Sequence, residues 1–340
     1  MKKIALILLS AAALYSCART GSSGASDYDK IYLDAYMARN YPDARQTSLG
    51  CYILHDTEGS GAPVGSADFV RVEYTIRDLQ GNYTSSTFAQ THKQLGTYSV
   101  DGYYGPAIWY RGEDQDNLTA GLEETISTMR IGGTRSAVIP GWLLATLSTG
   151  YPARYDSAEE YVKYCSGTTA IYDIHVVDAF DDEELWEKDS LASYIARNYP
   201  AAQTDTAMEG WYFIRTAEPL SSELLDADST VYCNYTLYRL DGTILDTSIE
   251  NVAKDAGIYS PSATYTPQQI NMAEEYSEIT MTSDNTDVVD GFANAFLHLH
   301  PGESCTVIFW SGVGYSSSGN GSKIPAYCPL RFDIQMTEEP

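Results

Sequence analysis

The sequence Tyr36-Met37-Ala38-Arg39-Asn40-Tyr41-Pro42 returns 158 residues later (194 − 36) as Tyr194-Ile195-Ala196-Arg197-Asn198-Tyr199-Pro200. Shorter echoes follow in the same order: Gln46-Thr47 and Gln203-Thr204, Gly50-Cys51-Tyr52-Ile53 and Gly210-Trp211-Tyr212-Phe213, Tyr74-Thr75 and Tyr235-Thr236, Tyr172-Asp173-Ile174 and Phe332-Asp333-Ile334. A period of about 160 residues is too long for a solenoid unit. We therefore interpret the chain as two copies of one whole domain.

Each copy begins with a helical pattern. Apolar residues at i, i+3 and i+4 lie on one face of a helix. Both copies have them: Leu33, Tyr36 and Met37 in the first, Leu191, Tyr194 and Ile195 in the second. Pro42 and Pro200 end the two patterns. We expect each helix to pack on its own domain, and the alternative is that the helices pair between copies or between chains.

Alternating strands dominate the rest of each copy. Val70–Leu79 and Thr230–Leu240 alternate, and each ends in a hairpin signal that contains glycine. A short helical stretch and another strand follow in each copy: Ala120–Met129 and Thr134–Ile139 in the first, Asp287–Leu299 and Ser304–Trp310 in the second. We predict an α+β fold in which each domain is a curved antiparallel sheet wrapped on one short α-helix and preceded by an N-terminal helix.

The composition excludes one class of partner. The 340 residues include 21 Lys and Arg against 46 Asp and Glu, a formal net charge of −25. Nucleic-acid binding needs a basic face for the phosphates, so we expect no nucleic-acid partner. The 28 tyrosines, against 8 Phe and 5 Trp, favour β-rich structure with half-exposed aromatic side chains.

The N-terminal segment has the pattern of an export signal. Two lysines precede the apolar stretch Ile4–Leu14, which is too short to span a bilayer permanently. Leu14-Tyr15-Ser16-Cys17 then resembles a bacterial lipobox cleaved before Cys17. We predict a signal peptide at 1–16, a lipid on Cys17 that contacts the membrane, and a flexible tether at 17–26. The expected location is the cell envelope, on the periplasmic side of the outer membrane. The alternative is an ordinary secretory signal.

The boundary between the copies lies in the acidic stretch Asp178–Glu184, which places the domains at 27–180 and 181–340. Without Cys17 the chain has five cysteines, an odd number, so at least one thiol is unpaired or pairs between chains. No CxxC or HExxH spacing is present and the five histidines are scattered, so we expect no metal site.

In the second copy an ordered set of short motifs resembles an FKBP-type peptidyl-prolyl isomerase domain. The residues that carry the resemblance are Val231–Leu240, Asp241-Gly242, Asp246-Thr247-Ser248, Val288-Val289-Asp290-Gly291-Phe292, Gly302, Gly314-Tyr315, Ile324-Pro325 and Leu330-Arg331-Phe332-Asp333. The first copy matches more weakly, in Tyr74-Thr75, Gly81, Gly121-Leu122-Glu123-Glu124, Gly132 and Ile139-Pro140. The resemblance covers residues 50–178 and 210–336 and implies two divergent tandem FKBP-like domains, here in a bacterial, Bacteroidetes-like lipoprotein.

The resemblance implies a pocket that favours a twisted peptide bond. Rotation about an X–Pro bond is slow because its C–N bond has partial double-bond character. An apolar, aromatic cleft that excludes water favours the twisted form. By position, the family's catalytic residues fall on Tyr235, Asp246, Phe292 and Tyr315, and its substrate-binding residues fall on Leu245, Val288, Val289, Ile324 and Phe332. The resemblance also implies proline-containing polypeptides as partners and no cofactor.

Departures from the family pattern are uneven. In the second copy Leu245 stands for Phe and Phe292 for the floor Trp, which keeps the pocket apolar. In the first copy Thr84 stands for Asp and Leu122 for Trp, so we expect this domain to be degenerate. The sequence favours an isomerase or folding helper that acts through the second domain. The alternative is a catalytically inactive lipoprotein that binds peptides or proteins.

The two functions are separated by the surroundings of Phe292 and Tyr315. In an isomerase these side chains converge on an open cleft. In an inactive protein they lie beneath the tyrosine-rich insertion Ile249–Asp287. A similar insertion, Thr87–Asn117, occupies the first copy. Exposed aromatic loops of this kind bind peptides or glycans in some proteins, and in others they pack only on themselves.

Overall fold

The computed structural model describes residues 25, 27–112, 118–146, 154–204, 208–281 and 286–338. These residues form two units. Unit 1 contains the described residues up to Ser86 together with Trp109–Ala179, and unit 2 contains Thr87–Ile108 and the described residues from Phe180 onward. The expected signal peptide and Cys17 lie outside the described residues.

The described part of the chain alternates short helices and strands. The α-helices are α1 Asp27–Asn40, α2 Ala89–Leu95, α3 Ala120–Ile126, α4 Ala158–Tyr164, α5 Glu183–Asn198, α6 Glu250–Asp255 and α7 Asp290–Ala293. The strands are β1 Arg45–Gln46, β2 Tyr52–Thr57, β3 Phe69–Arg77, β4 Tyr83–Ser86, β5 Ala107–Tyr110, β6 Thr134–Ile139, β7 Ala170–Phe180, β8 Gln203–Thr204, β9 Trp211–Ala217, β10 Thr230–Arg239, β11 Ile244–Thr247, β12 Gln268–Asn271, β13 Thr280–Met281, β14 Thr286–Asp287, β15 Ser304–Phe309 and β16 Leu330–Thr337.

The two sheets have the same strand order. The first runs β1-β2-β6-β7-β3-β4, and the second runs β8-β9-β15-β16-β10, where β10 pairs with both β11 and β12. The described pairs of the second sheet are antiparallel, as are β1–β2, β2–β6, β6–β7 and β3–β4 in the first. The predicted α+β fold, with two copies of one plan, is confirmed.

The hairpins form where the sequence predicted them. Gly81 and Gly242 have φ angles of 91° and 89°, in the left-handed region that glycine enters without a steric penalty. Each follows a long central strand and lets the chain turn into the next strand, β4 or β11. This local signal therefore predicts the β3–β4 and β10–β11 hairpins.

Each leading helix packs on the sheet of its own repeat. In α1, Leu33 and Met37 are buried in the core of unit 1. In α5, Leu191 and Ile195 are buried against Ile308 of β15. The start of α5 is capped by Asp182, whose Oδ1 accepts a hydrogen bond of 2.8 Å from the backbone N–H of Leu185. Both helices therefore bury the faces that the sequence pattern predicted.

The short helix of the second repeat is less regular than expected. The sequence predicted one helical stretch over Asp287–Leu299, whereas the structure has a single α-turn, α7, followed by a 3-10 helix at Asn294–Leu297. Phe292, Ala293, Ala295 and Phe296 are all buried. Because side chains are buried all round this segment, tertiary packing decides its geometry more than helical periodicity does.

Unit 2 contains a segment that the sequence assigned to the first domain. The expected boundary at 180/181 lies within one residue of the observed change at Ala179/Phe180. Thr87–Ile108, however, is part of unit 2. The physical reason is the buried guanidinium of Arg239, which donates hydrogen bonds to the carbonyl oxygens of Asp101 and Gly102 at 2.9 and 3.0 Å.

The five cysteines at 51, 165, 233, 305 and 328 are free thiols. Burial raises the pKa of Cys233 and of Cys328 to about 12. Within the described ranges, no helix has the length and apolar character needed to cross a membrane.

Candidate functional site

The sheet of unit 2 places one row of side chains under α7. Asp246 on β11 lies opposite Leu237 on β10, and Leu237 lies opposite Phe332 on β16. Since side chains alternate between the faces of a strand, Tyr235 lies on the same face as Leu237. The register therefore brings an exposed carboxylate, a phenol and two apolar side chains to one face of the sheet.

Helix α7 lies close to the sheet because Gly291 has no side chain. A Cβ at Gly291 would lie 2.4 Å from the ring of Phe309, which excludes any larger residue without a shift. The indole Nε1–H of Trp211 donates a 2.8 Å hydrogen bond to the carbonyl oxygen of Gly291. These two contacts fix α7 and set the position of the next residue, Phe292.

Three aromatic rings form the floor of the site. The ring of Phe292 lies 4.7 Å from that of Phe332 and 5.8 Å from that of Tyr235, between ring centroids, and Tyr235 lies 6.0 Å from Phe332. Tilted and edge-on packing of this kind stabilises aromatic clusters beyond the area they bury. Phe292 and Phe332 are buried, so the floor is rigid and apolar.

The phenol of Tyr235 is held by Asp246. Its hydroxyl lies 2.6 Å from Oδ2 of Asp246, while Oδ1 accepts a 2.9 Å hydrogen bond from the backbone N–H of Thr247. Burial, together with the charge of Asp246, raises the pKa of Tyr235. The phenol therefore stays protonated at neutral pH and remains a donor to the carboxylate.

The opposite wall comes from the loop after β15. This loop starts with a 3-10 helix at Ser311–Val313 and leads through Gly314 to Tyr315. The carboxylate of Glu187, on α5, accepts hydrogen bonds of 2.6 Å from both the backbone N–H and the hydroxyl of Ser311. Burial raises the pKa of Glu187, and the two bonds from Ser311 offset part of that effect. The wall is thus anchored to the leading helix of the repeat.

Floor and walls enclose an open cleft of about 470 Å³. Its lining residues are Tyr235, Leu237, Asp246, Met281, Val288, Val289, Asp290, Phe292, Gly312, Val313, Gly314, Tyr315 and Phe332. The volume and the mixture of apolar wall with a few polar groups are typical of sites for small ligands and short peptide segments. Phe292 and Tyr315 converge on this cleft, and of the insertion 249–287 only Met281 reaches it among the described residues.

Seven of the nine residues singled out from the sequence line this cleft. The other two do not. Leu245 lies at a shift in the β10–β11 register, between Asp246, which is opposite Leu237, and Ile244, which is opposite Tyr238, and it is buried in the core of unit 2. It lines a second cavity of about 230 Å³, together with Tyr235, Asp246 and Tyr265 of the insertion. Ile324 is buried in the core of unit 2, where its backbone pairs with that of Asn320.

Sequence reasoning missed several lining residues. Leu237 was detectable, because it follows Tyr235 by two residues on one strand and so shares its face. The glycines at 312 and 314 lie shortly before Tyr315, and a Cβ at Gly312 would lie 2.2 Å from the ring of Trp310. Met281 and Asp290 carry no comparable signal, since they enter the cleft from the insertion and from the exposed start of α7.

The corresponding positions of unit 1 are buried or packed on an aromatic ring. Tyr74 packs on Trp109 with 5.3 Å between ring centroids, and Leu122 is buried in the core. Burial raises the pKa of Tyr172 to about 12.

Metal ligands are not grouped in the described ranges. No cluster of three or more His, Cys, Asp or Glu side chains there has an arrangement that would hold a metal ion.

Comparison with known proteins gives a family match in the second repeat and a similar curated protein. Residues 222–337 match the family model of the FKBP-type peptidyl-prolyl cis-trans isomerases. The short-type peptidyl-prolyl cis-trans isomerase of Methanocaldococcus jannaschii is 33% identical over 92 residues, which are 27% of this chain and 51% of that protein. The chain thus spans about half the length of this curated relative.

Solved structures align over larger parts of the chain. The 3 FKBP domains of wheat FKBP73 align over 85% of this chain and 94% of that one, with 14% identity and a TM-score of 0.30. A peptidyl-prolyl cis-trans isomerase from Pseudomonas syringae aligns over 46% and 96%, with 18% identity and a TM-score of 0.32. The family match and the curated relative support an FKBP-type peptidyl-prolyl isomerase-like family, and the family match lies in the second repeat.

Proposed function

We propose that the protein is a peptidyl-prolyl cis–trans isomerase or folding helper, and that its substrate site is the cleft of unit 2. Its substrates are proline-containing polypeptides. The observation that carries the proposal is the convergence of Tyr235, Phe292 and Phe332 on the floor of an open cleft. The family match over residues 222–337 supports the same reaction.

The chemistry needs no nucleophile. An apolar floor removes water from the proline ring and from the amide. A C–N bond that has lost its resonance is less polar than the planar amide, so the free-energy barrier between the planar and the twisted form is lower in the cleft than in water. The hydroxyl of Tyr315 and the backbone N–H of Val289 are the groups we assign to the substrate carbonyl. Tyr235 cannot fill that role while its hydroxyl donates to Asp246. We assign to this pair the task of holding the floor.

A second candidate is a non-catalytic protein that binds peptides in the same cleft. One observation favours it: Leu245 and Ile324, which the family pattern places around the proline, are buried in the core of unit 2 and are not among the residues that line the cleft. The cleft instead receives Met281 and the carboxylate of Asp290. Binding without acceleration would follow if these changes leave the proline loosely held.

The cellular location is part of the proposal and comes from the sequence of residues 1–17. We propose a lipid on Cys17 that anchors the protein in the cell envelope, at the outer membrane on the periplasmic side. Expression of the full chain in a bacterium, with labelled fatty acid and fractionation, tests this. Wild type should carry label in the membrane fraction and Cys17→Ser should not. Unlabelled wild-type protein in the soluble fraction would reject the anchor.

The test of activity is cis–trans isomerisation of a proline tetrapeptide by residues 18–340. We compare wild type with Tyr315→Phe and Phe292→Ala, and use Leu122→Ala, the matching floor position of unit 1, as the control. Acceleration that falls in both unit 2 variants and persists in the control supports the isomerase. A folded wild type that does not accelerate the reaction rejects it and leaves the binding protein.

A further inference from the structure

A segment from the first repeat is part of unit 2. We call residues 98–104 the strap. The buried guanidinium of Arg239 holds it: Nη1 donates to the carbonyl oxygens of Asp101 and of Lys323, at 2.9 and 2.7 Å, and Nη2 donates to Gly102 at 3.0 Å. One side chain therefore ties the strap to the loop that contains Lys323.

Two further contacts join the strap to the same loop. Nζ of Lys323 lies 2.5 Å from Oδ2 of Asp101, whose side chain is 10% exposed. The backbone N–H of Tyr103 donates a 2.9 Å hydrogen bond to the carbonyl oxygen of Ser322. Arg239 also lies over the ring of Tyr103, at 5.5 Å from its centroid. Hydrogen bonds and an ion pair thus connect residues 322 and 323 both to the strap and to Arg239.

The loop that the strap holds is the one that carries Tyr315. Its tip is a narrow hairpin in which Asn320 and Ile324 exchange two backbone hydrogen bonds. At its base the N–H of Gly319 donates to the carbonyl oxygen of Tyr315. The N–H of Tyr327 donates to the carbonyl oxygen of Ser316. Backbone hydrogen bonds therefore connect the tip of the loop to Tyr315, so that a contact that holds the tip also limits the movement of Tyr315.

The loop needs such a restraint because its backbone is strained. Ser316 and Tyr327 have φ angles of 49° and 55°, a region that residues with a Cβ rarely adopt. Strained residues persist where surrounding contacts determine the conformation. Outside contacts at residues 322 and 323 come from the strap and from Arg239.

We propose that the strap is a positioning element for the cleft of unit 2: it fixes the loop 315–327 and so holds the Tyr315 side chain in the cleft wall. The inference rests on the proposed function of that cleft. It gives the first repeat a role in a site whose described lining residues all come from the second repeat.

The test uses Lys323→Glu, which places a carboxylate beside Asp101 at a position whose side chain is 49% exposed, so that folding is retained. Lys323→Arg is the conservative variant. Lys254→Glu, which breaks the exposed ion pair with Glu250 in the same unit, is the matched control. In Lys323→Glu we expect amide exchange of residues 316–327 to rise at least tenfold while exchange of β15 and β16 stays unchanged. We expect kcat/KM for a proline tetrapeptide to fall about fivefold, mainly in kcat, with recovery in Lys323→Arg.

The outcomes separate this inference from the proposed function. If the amide exchange of residues 316–327 is unchanged in Lys323→Glu, the strap does not restrain the loop and the inference is wrong. Faster exchange with unchanged kcat/KM in an active protein overturns the positioning of Tyr315. A wild type without activity rejects the isomerase, and the exchange of 316–327 then decides the strap by itself.

Discussion

Glu187 is a buried carboxylate without a charge partner, and its pH dependence can be worked out from the structure. It is 1% exposed, and its two oxygens accept hydrogen bonds from the N–H and hydroxyl of Ser311. Among the described residues, no lysine or arginine forms an ion pair with it. Burial raises its pKa above the ordinary value of 4.5. We predict that the substitution Glu187→Gln changes how the stability of unit 2 depends on pH.

The sign follows from proton linkage. Between pH 4.5 and the raised pKa of the folded state, the native protein holds one proton more than the unfolded chain. Stability therefore falls as pH rises through this window, with a slope of up to about 1.4 kcal/mol per pH unit from this group. Below pH 4.5 both states are protonated, and above the folded pKa both are ionised, so the dependence on this group ends on either side. The glutamine variant lacks the titration altogether.

The assay measures the free energy of unfolding of unit 2 between pH 4 and pH 8. Hydrogen exchange of β15 and β16 peptides in urea reports on unit 2 alone. The stability of wild type minus that of Glu187→Gln should decline as pH rises through the window and be level outside it. Glu184→Gln, the same change at an exposed position of α5, controls for the loss of a carboxylate. A level difference curve, or one that rises with pH, would refute the reasoning.

Three further predictions concern packing, hydrogen bonding and thiols. Gly291→Ala puts a methyl group 2.4 Å from the Phe309 ring, so the cost of overpacking should exceed the gain in helix propensity. We expect the free energy of unfolding, measured in urea, to fall by about 1–2 kcal/mol. An unchanged urea midpoint would contradict the close approach of α7 to the sheet. A double-mutant cycle of Tyr235→Phe and Asp246→Ala should give a coupling free energy of about 1 kcal/mol. This value is lower than that of a buried hydrogen bond to a charged group, because Asp246 is exposed. Additive losses of stability in the double mutant would mean that the hydrogen bond is not formed in solution. Cys233 and Cys328, whose pKa values are raised to about 12, should resist alkylation by iodoacetamide at pH 8 until the protein unfolds. The reason is that their thiolate form is roughly a thousandfold scarcer than that of a thiol with a pKa of 9. Rapid labelling of these two residues in the native protein, located by mass spectrometry, would show that the thiols are accessible.

Local signals in the sequence were sufficient for the architecture. The repeat at Tyr36 and Tyr194 predicted two copies of one plan, and hairpin glycines such as Gly242 marked the turns. The equal strand order of the two sheets confirms both. These features were readable because strand alternation and positive φ are properties of a few adjacent residues.

The site was predictable only in part. The position of Leu245 depends on a shift in the register between β10 and β11, which no local pattern in the sequence marks. Ile324 was not predictable, because its position depends on a strained loop with positive φ at Ser316 and Tyr327. The membership of 87–108 in unit 2 depends on contacts such as that between Arg239 and Asp101, which are 138 residues apart and leave no local pattern.

The place of residues 87–108 in unit 2 has a consequence for synthesis of the chain. This segment leaves the ribosome early, whereas β16, the second sheet's last strand, begins at Leu330, 222 residues after Ile108 (330 − 108). At 5–20 residues per second the interval is roughly 10–45 s. During that time the segment has no unit 2 to join, although β4 before it and β6 after it already belong to a finished sheet. Order along the chain and order of folding therefore differ, and unit 2 closes only after β16 has been synthesised.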